Sequence, residues 1–192
     1  MSKKQTIVLI IVAVIVLGGL VYLGITQGPV VTPSEEEGGE ATTTKSIGET
    51  QVQGGSMVTE GGKVVTDEGE PVDNTAAPGS PTAPQQSDPI SEDSVPRGAI
   101  KIQVSAAGFK PSEFTVNSGE VVTLSVTSVD EQTHIFKFND PSLKAIAVGV
   151  GPGVVRALTF NAPDKRGEYQ FFCDVPGHVS PGRDETGTMI VK

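Results

Sequence analysis

Three side chains in the second half of this 192-residue sequence have the chemistry of metal ligands. They are His134, Cys173 and His178, the only histidines and the only cysteine of the chain. A thiolate together with two imidazoles is the donor set of a trigonal copper site that passes one electron. We predict that Cys173 sits rigidly at a strand end, that the Pro176-Gly177 turn brings His178 back to the same ion, and that His134 comes from another strand.

The same counts exclude several classes of protein. A single cysteine excludes an intramolecular disulfide framework and a cysteine-only zinc or iron–sulfur site. A copper enzyme with a second metal centre would need further histidines, so we predict that the protein is not an enzyme. The chain has 23 acidic and 14 basic side chains. Because its predicted folded part is nearly neutral, it offers no basic surface for nucleic acid.

Short alternating runs after residue 97 predict β-strands. Ile100, Ile102 and Val104 alternate with polar residues, which is the period of a half-buried strand. Further strands are predicted at residues 114–116, 121–128, 134–138, 154–160, 168–173 and 188–192. Turns rich in Gly, Pro and Asx residues separate them, and this pattern favours an all-β sandwich or small barrel of seven or eight strands. Residues 140–153 are glycine-rich and are predicted to form a loop.

Residues 99–192 resemble a known family, the cupredoxins, which are the plastocyanin- and azurin-like blue copper proteins. The resemblance rests on the motif Tyr-x-Phe-x-Cys-x-x-Pro-Gly-His over residues 169–178, on the closing strand at 187–191, and on residues 108–120. It implies a Greek-key β-sandwich that binds one copper ion and cycles it between Cu(I) and Cu(II). It also implies that His134, Cys173 and His178 are the equatorial copper ligands.

The axial position departs from the family pattern. Many cupredoxins place a weak axial methionine four or five residues after the second histidine, where this chain has Arg183 in a longer loop. An arginine stays protonated and cannot ligate a metal. Three alternatives stay open: no strong axial ligand, a carboxylate from Asp184 or Glu185, or Met189, which stands where the family has a core aliphatic residue.

The N-terminal residues have the composition of a membrane anchor. Residues 7–25 are 19 uncharged and mostly apolar positions, which as a helix would cover roughly 30 Å, close to one bilayer core. Lys3 and Lys4 precede this run, so we predict that residues 1–26 are a single-pass anchor in the cell membrane with a cytoplasmic N-terminus. The alternative is a cleaved signal peptide, and the length of the apolar run argues against it.

Residues 27–97 look like a tether between the anchor and the domain. They contain 13 acidic and 3 basic side chains and no aromatic residue, a composition that predicts a disordered linker. A seven-residue unit at 54–60 is repeated at 61–67 and could form a hairpin. Because two strands alone are marginal in water, a duplicated piece of linker is the preferred interpretation. Residues 98–192 would then be the whole folded domain.

These features together predict a copper electron-transfer protein on the outer side of the cytoplasmic membrane. We expect a monomer whose partners are membrane-bound or extracytoplasmic redox proteins. The tether would hold the domain near those partners at high effective concentration. The alternative is an extracytoplasmic copper-binding or delivery module, which would pass Cu(I) to a partner instead of cycling it.

Overall fold

The computed structural model describes residues 52–192, which form an all-β domain. Over that range the only helical elements are two short 3₁₀ turns, Glu92–Ser94 and Pro141–Leu143. No helix among the described residues is long and apolar enough to cross a membrane. The predicted anchor at residues 1–26 and the first part of the predicted linker, 27–51, lie outside the described residues.

Short strands make up most of the described chain. They are β1 (Met57–Val58), β2 (Val64–Val65), β3 (Ile100–Ser105), β4 (Gly108–Lys110), β5 (Glu113–Val116), β6 (Val121–Ser128), β7 (His134–Phe138), β8 (Ala147–Val150), β9 (Val155–Asn161), β10 (Gly167–Cys173), β11 (Val179–Ser180), β12 (Arg183–Asp184) and β13 (Thr186–Val191).

Two sheets form the sandwich. One has five strands in the order β5-β13-β10-β7-β8, and the other has four in the order β4-β3-β6-β9. Neighbouring strands are antiparallel except for two parallel pairs, β3 with β6 and β13 with β5. Because β7, β10 and β13 are adjacent, residues far apart in sequence meet at the ends of these strands.

The core between the sheets is built around phenylalanine rings. The ring centroid of Phe171 in β10 lies 4.9 Å from that of Phe136 in β7 and 5.2 Å from that of Phe109 in β4. All three side chains are buried. Cys173 follows Phe171 on the same face of β10, because side chains alternate along a strand. The packed aromatic core therefore holds the strand end that carries the cysteine.

The structure differs from the predicted linker of residues 27–97, because residues 52–97 are part of the folded domain. We call residues 52–97 the covering segment. Its strands β1 and β2 pair as an antiparallel hairpin, with Met57 opposite Val65 and Val58 opposite Val64. The seven-residue repeat is therefore a hairpin and not a duplicated piece of linker. Packing against the sandwich supplies the burial that an isolated pair of strands lacks.

The covering segment forms hydrogen bonds with backbone groups of β8 and β9, which are edge strands of the two sheets. The Ser87 N–H donates to the Ala157 carbonyl at 2.7 Å, and the Ala157 N–H donates to Ser87 Oγ at 2.9 Å. The Gly149 N–H of β8 donates to Gln86 Oε1 at 3.0 Å. Unpaired edge strands invite aggregation, so these bonds protect the sandwich.

The predicted loop at residues 140–153 is also corrected. It contains β8, which pairs antiparallel with β7 and places Val150 opposite His134. Val148 and Val150 are buried, and Ala147 and Gly149 are half-buried. The glycines around β8 concealed this two-residue alternation in the sequence. The additional strand flanks β7 on the side away from β10 and supports the strand that begins with His134.

Candidate metal centre

The three predicted ligands lie at one end of the five-stranded sheet. His134 is the first residue of β7 and Cys173 is the last residue of β10, and these strands are antiparallel neighbours. Their ends therefore coincide. His178 follows in a tight turn, in which its N–H donates to the Val175 carbonyl at 3.0 Å and Gly177 has a φ of 84°, a conformation that suits glycine.

The structure brings the donor atoms of these three residues together. Cys173 Sγ lies 3.8 Å from His134 Nδ1 and 3.4 Å from His178 Nδ1. All three side chains are buried, with 2% of Cys173 and 7% of His178 exposed. Donors that each bind one ion at about 2.0–2.3 Å lie roughly 3–4 Å from one another. The spacing of the sulfur and the two ring nitrogens therefore fits a single metal ion.

A fourth side chain, that of Glu185, reaches the same point. Its Oε2 lies 2.8 Å from His134 Nδ1 and 3.1 Å from His178 Nδ1, and the residue is fully buried. The donor atoms of the four residues all lie within 4.8 Å of one another. The Cys173 N–H donates to the Glu185 carbonyl at 3.0 Å, so the pairing of β10 with β13 continues to the site and sets Glu185 beside the cysteine.

The other axial alternatives lie elsewhere. Asp184 is exposed, and its Oδ1 accepts a hydrogen bond from Thr186 Oγ1 at 2.7 Å. Met189 is fully buried in the hydrophobic core and faces Tyr169 across the β10–β13 ladder. Of the candidates from the sequence, only Glu185 has a side chain at the site.

Arg183 is the partner of Glu185. Its Nε and Nη2 contact Glu185 Oε1 at 2.7 and 2.6 Å, and Nη2 also donates to Gln132 Oε1 at 2.8 Å. Burial acts to raise the pKa of Glu185, but its contacts with the Arg183 guanidinium and with His134 outweigh burial and lower the pKa below its usual value. The carboxyl group is therefore ionised at neutral pH. The sequence analysis did not predict this ion pair.

Asp130 orients His134 from the opposite side of the ring, with Oδ1 3.0 Å from His134 Nε2. Burial acts to raise the pKa of Asp130, but hydrogen bonds from His134 and from the N–H groups of Ala106 and Gln132 lower it to about 2. An acceptor at this position would keep a ring proton on Nε2 when a metal ion is bound at Nδ1. Sequence reasoning missed Asp130, whose only signal is an acidic residue four positions before a strand histidine.

The environment of the cysteine thiol is set by the ends of the two strands. Burial raises the pKa of Cys173, although the Ile135 N–H donates to Sγ at 3.4 Å and acts in the opposite direction. The thiol is therefore protonated when it is free. Because a thiolate is the form that binds metal, its proton must leave when an ion binds.

An all-β sandwich with a thiolate and two imidazoles at one end defines a class of small copper-binding domains. Comparison with protein families agrees with this class: the model of the cupredoxin-like domain matches residues 82–191. The match covers more than half of the chain, which belongs to the cupredoxin-like family. Its cofactor is one copper ion. No curated protein matches this chain.

Several solved structures are similar to this chain. Reduced auracyanin from Roseiflexus castenholzii is 24% identical with a TM-score of 0.43, over 49% of this chain and 96% of that chain. Auracyanin A, a blue copper protein from Chloroflexus aurantiacus, is 21% identical with a TM-score of 0.43, over 49% and 98% of the two chains. Amicyanin from Paracoccus versutus is 22% identical with a TM-score of 0.40, over 55% and 92%.

Proposed function

We propose that this protein is an electron carrier in which His134, Cys173 and His178 hold one copper ion. The observation that carries the proposal is that Cys173 Sγ lies within 3.8 Å of a ring nitrogen from each histidine in a buried site. The bound ion would supply one-electron chemistry, passing between Cu(I) and Cu(II). Both histidines of the chain belong to this one centre, so none remains for a second copper, which supports a carrier and not an enzyme.

The surrounding residues restrict movement of the donors. Cys173 is fixed at the end of a strand with neighbours on both sides, and Asp130 holds the ring of His134 at 3.0 Å. Second-shell partners of this kind fix the tautomer and the orientation of a metal-bound histidine. A site whose ligands hardly move when the ion changes its charge can exchange electrons rapidly. Burial also keeps bulk water away from the thiolate.

We propose that redox partners approach at the turn that holds His178. Its ring retains a small exposed area, and Val179 beside it is 48% exposed, which is unusual for a large apolar side chain. Pro176 in the same turn is exposed as well. A small apolar surface around the one partly exposed donor would let a partner come close to the ion without a strong charge requirement.

The membrane attachment predicted for residues 1–26 is part of this proposal, with the copper domain outside the cytoplasmic membrane and the protein a monomer. Residues 27–51 would link the anchor to the domain and keep it near membrane-bound or extracytoplasmic redox proteins. Membrane fractionation of cells that express the full chain, or a variant without residues 1–26, tests the attachment. We expect the full chain in the membrane fraction and the shortened chain outside it. Equal distribution of the two would contradict an anchor.

Voltammetry of the copper-loaded full chain tests the carrier function. We expect a reversible one-electron wave that persists over many cycles, because the buried donors retain the ion in both oxidation states. Cys173→Ser should abolish the wave. Loss of copper on reduction, or transfer of Cu(I) to an added chelator with no stable Cu(II) form, would contradict the carrier and favour a copper-delivery module.

A further inference from the structure

We propose that Glu185 is the fourth ligand of the copper ion and that Arg183, anchored on Gln132, is the positioning residue that turns its carboxylate toward the ion. This inference rests on the proposed copper site. It assigns the position that the sequence left open, and it gives the site a charged oxygen donor in place of a weak thioether.

The two carboxylate oxygens of Glu185 have separate partners. Oε1 is held by Nε and Nη2 of Arg183, at 2.7 and 2.6 Å. Oε2 is turned the other way and lies 2.8 and 3.1 Å from the Nδ1 atoms of His134 and His178. Asp130 contacts His134 at Nε2, so Nδ1 is the ring nitrogen of His134 that faces Oε2 and the other donor atoms. A single cation could therefore bind Oε2 and the Nδ1 atoms of both histidines.

The backbone fixes the distance of the carboxylate from the other donors. The Cys173 N–H donates to the Glu185 carbonyl at 3.0 Å. The short hairpin of β11 and β12 has Ser180 opposite Arg183, and Glu185 follows it directly, just before β13 begins at Thr186. The loop between His178 and β13 is longer than the family pattern, and it contains both Arg183 and Glu185.

Arg183 connects this hairpin to the segment that precedes β7. Its Nη2 bonds Gln132 Oε1 at 2.8 Å, two positions along the chain from the Asp130 that holds His134. The Arg183 guanidinium therefore contacts both Glu185 and the segment that carries Asp130, the hydrogen-bond partner of His134. Its fork suits this double contact, which the single ammonium of a lysine would not reproduce.

The chemical consequence is a site that favours the oxidised ion. A carboxylate is a hard donor and binds Cu(II) in preference to Cu(I), whereas a thioether does the reverse. Two anionic ligands, the thiolate and the carboxylate, balance the charge of Cu(II). With Cu(I) in place of Cu(II) the site would carry one more negative charge, which the Arg183 guanidinium would partly offset.

The test compares Glu185→Gln with Asp184→Asn in the full chain loaded with Cu(II). The glutamine keeps the shape of the side chain and can still accept from Arg183, but it carries no charge. We expect its Cu(II) dissociation constant to rise at least ~10-fold, with a smaller change for Cu(I) and a shift in the visible and paramagnetic resonance spectra. The neighbouring exposed Asp184 serves as the matched control, and its variant should leave both affinities and both spectra unchanged.

Arg183→Met and Arg183→Lys test the positioning role. We expect the methionine variant to move the spectrum and the Cu(II) affinity in the same direction as Glu185→Gln but less far, and the lysine variant to fall between it and the unchanged protein. If Arg183→Met lowers only the thermal stability of the metal-free chain and leaves the copper spectrum unchanged, Arg183 has a structural role and the positioning role is wrong.

The inference about Glu185 is overturned if Glu185→Gln and Asp184→Asn give the same affinities and spectra while Cys173→Ser still abolishes the thiolate band. That result would leave the proposed function intact. Failure of the unchanged chain to bind copper at all would instead overturn the proposed function. If the glutamine variant does not fold, Glu185→Asp provides the same test, since its shorter side chain keeps the charge but withdraws the oxygen from the ion.

Discussion

Removing two methyl groups from Val64 tests whether the covering segment belongs to the cooperative fold. Val64 lies in β2, is 1% exposed, and its N–H donates to Asn161 Oδ1 of β9 at 2.9 Å. In Val64→Ala that backbone bond stays, and only the apolar contacts are lost. Burial is worth about 0.8 kcal/mol for each methyl group, and the cavity left behind adds to this. We expect a loss of about 2 kcal/mol in the free energy of unfolding.

Urea unfolding of the full chain, followed by far-ultraviolet circular dichroism, measures this loss. Val129→Ala is the matched control, because it makes the same substitution at a side chain that is 53% exposed; its effect should stay within about 0.5 kcal/mol. Both variants should unfold in one transition. If Val64→Ala is as stable as the control, or if the covering segment unfolds separately at low urea, residues 52–97 are not part of the cooperative domain.

Three further predictions concern single positions. A Cβ at Gly187 would overlap an aromatic ring of β10 and approach a backbone carbonyl to 2.6 Å, whereas one at Gly149 would meet nothing within 4 Å; thermal melts should show a loss of about 1–3 kcal/mol for Gly187→Ala and almost none for Gly149→Ala. Asp130→Ala should weaken copper binding about 10–100-fold in a competition titration, while the exposed Glu131→Ala should not. Hydrogen bonds within its own turn lower the pKa of Asp140 below 3.8, so its carboxylate stabilises the fold above that pH and the stabilisation is lost as the pH falls through the lowered pKa. The unfolding free energy of Asp140→Asn should therefore fall less steeply with acid than that of the unchanged chain; equal slopes would contradict this.

Much of the sandwich could be predicted because its strands carry their own signal. The alternation in β3, where Ile102 and Val104 are buried, and the alternation in β10 are half-buried patterns that the structure retains. The covering segment could not be predicted in this way. It packs through valines and small residues, and hydrogen bonds such as that between Ser87 and β9 hold it in place. Because these residue types are also common in linkers, its composition alone predicted a linker. Its order comes from the sandwich that it covers.

The site shows the same division between local and long-range information. The strand end, the Pro-Gly turn and the residue types predicted that Cys173 and His178 would bind one ion. For His134, the only local signal was its position at the start of a predicted strand. Glu185, and not Asp184 or Met189, lies at the site because of the register with which the chain passes from the β11–β12 hairpin into β13. Side chains alternate between faces, so a shift of one residue would have brought Asp184 to the site in place of Glu185, whereas Met189 lies further along β13, opposite Tyr169. This register is set by the pairing of β13 with β10 and β5, which are distant in the sequence, so the sequence alone did not predict it.

The absorption spectrum of the full chain after addition of Cu(II) tests the central claim most directly. If one thiolate and two imidazoles hold the ion, an intense thiolate-to-copper band should appear in the visible, reach its maximum at one copper per chain, and disappear in Cys173→Ser. A colourless complex, or a spectrum that is the same in the serine variant, would show that Cys173 does not bind the ion and would contradict the account.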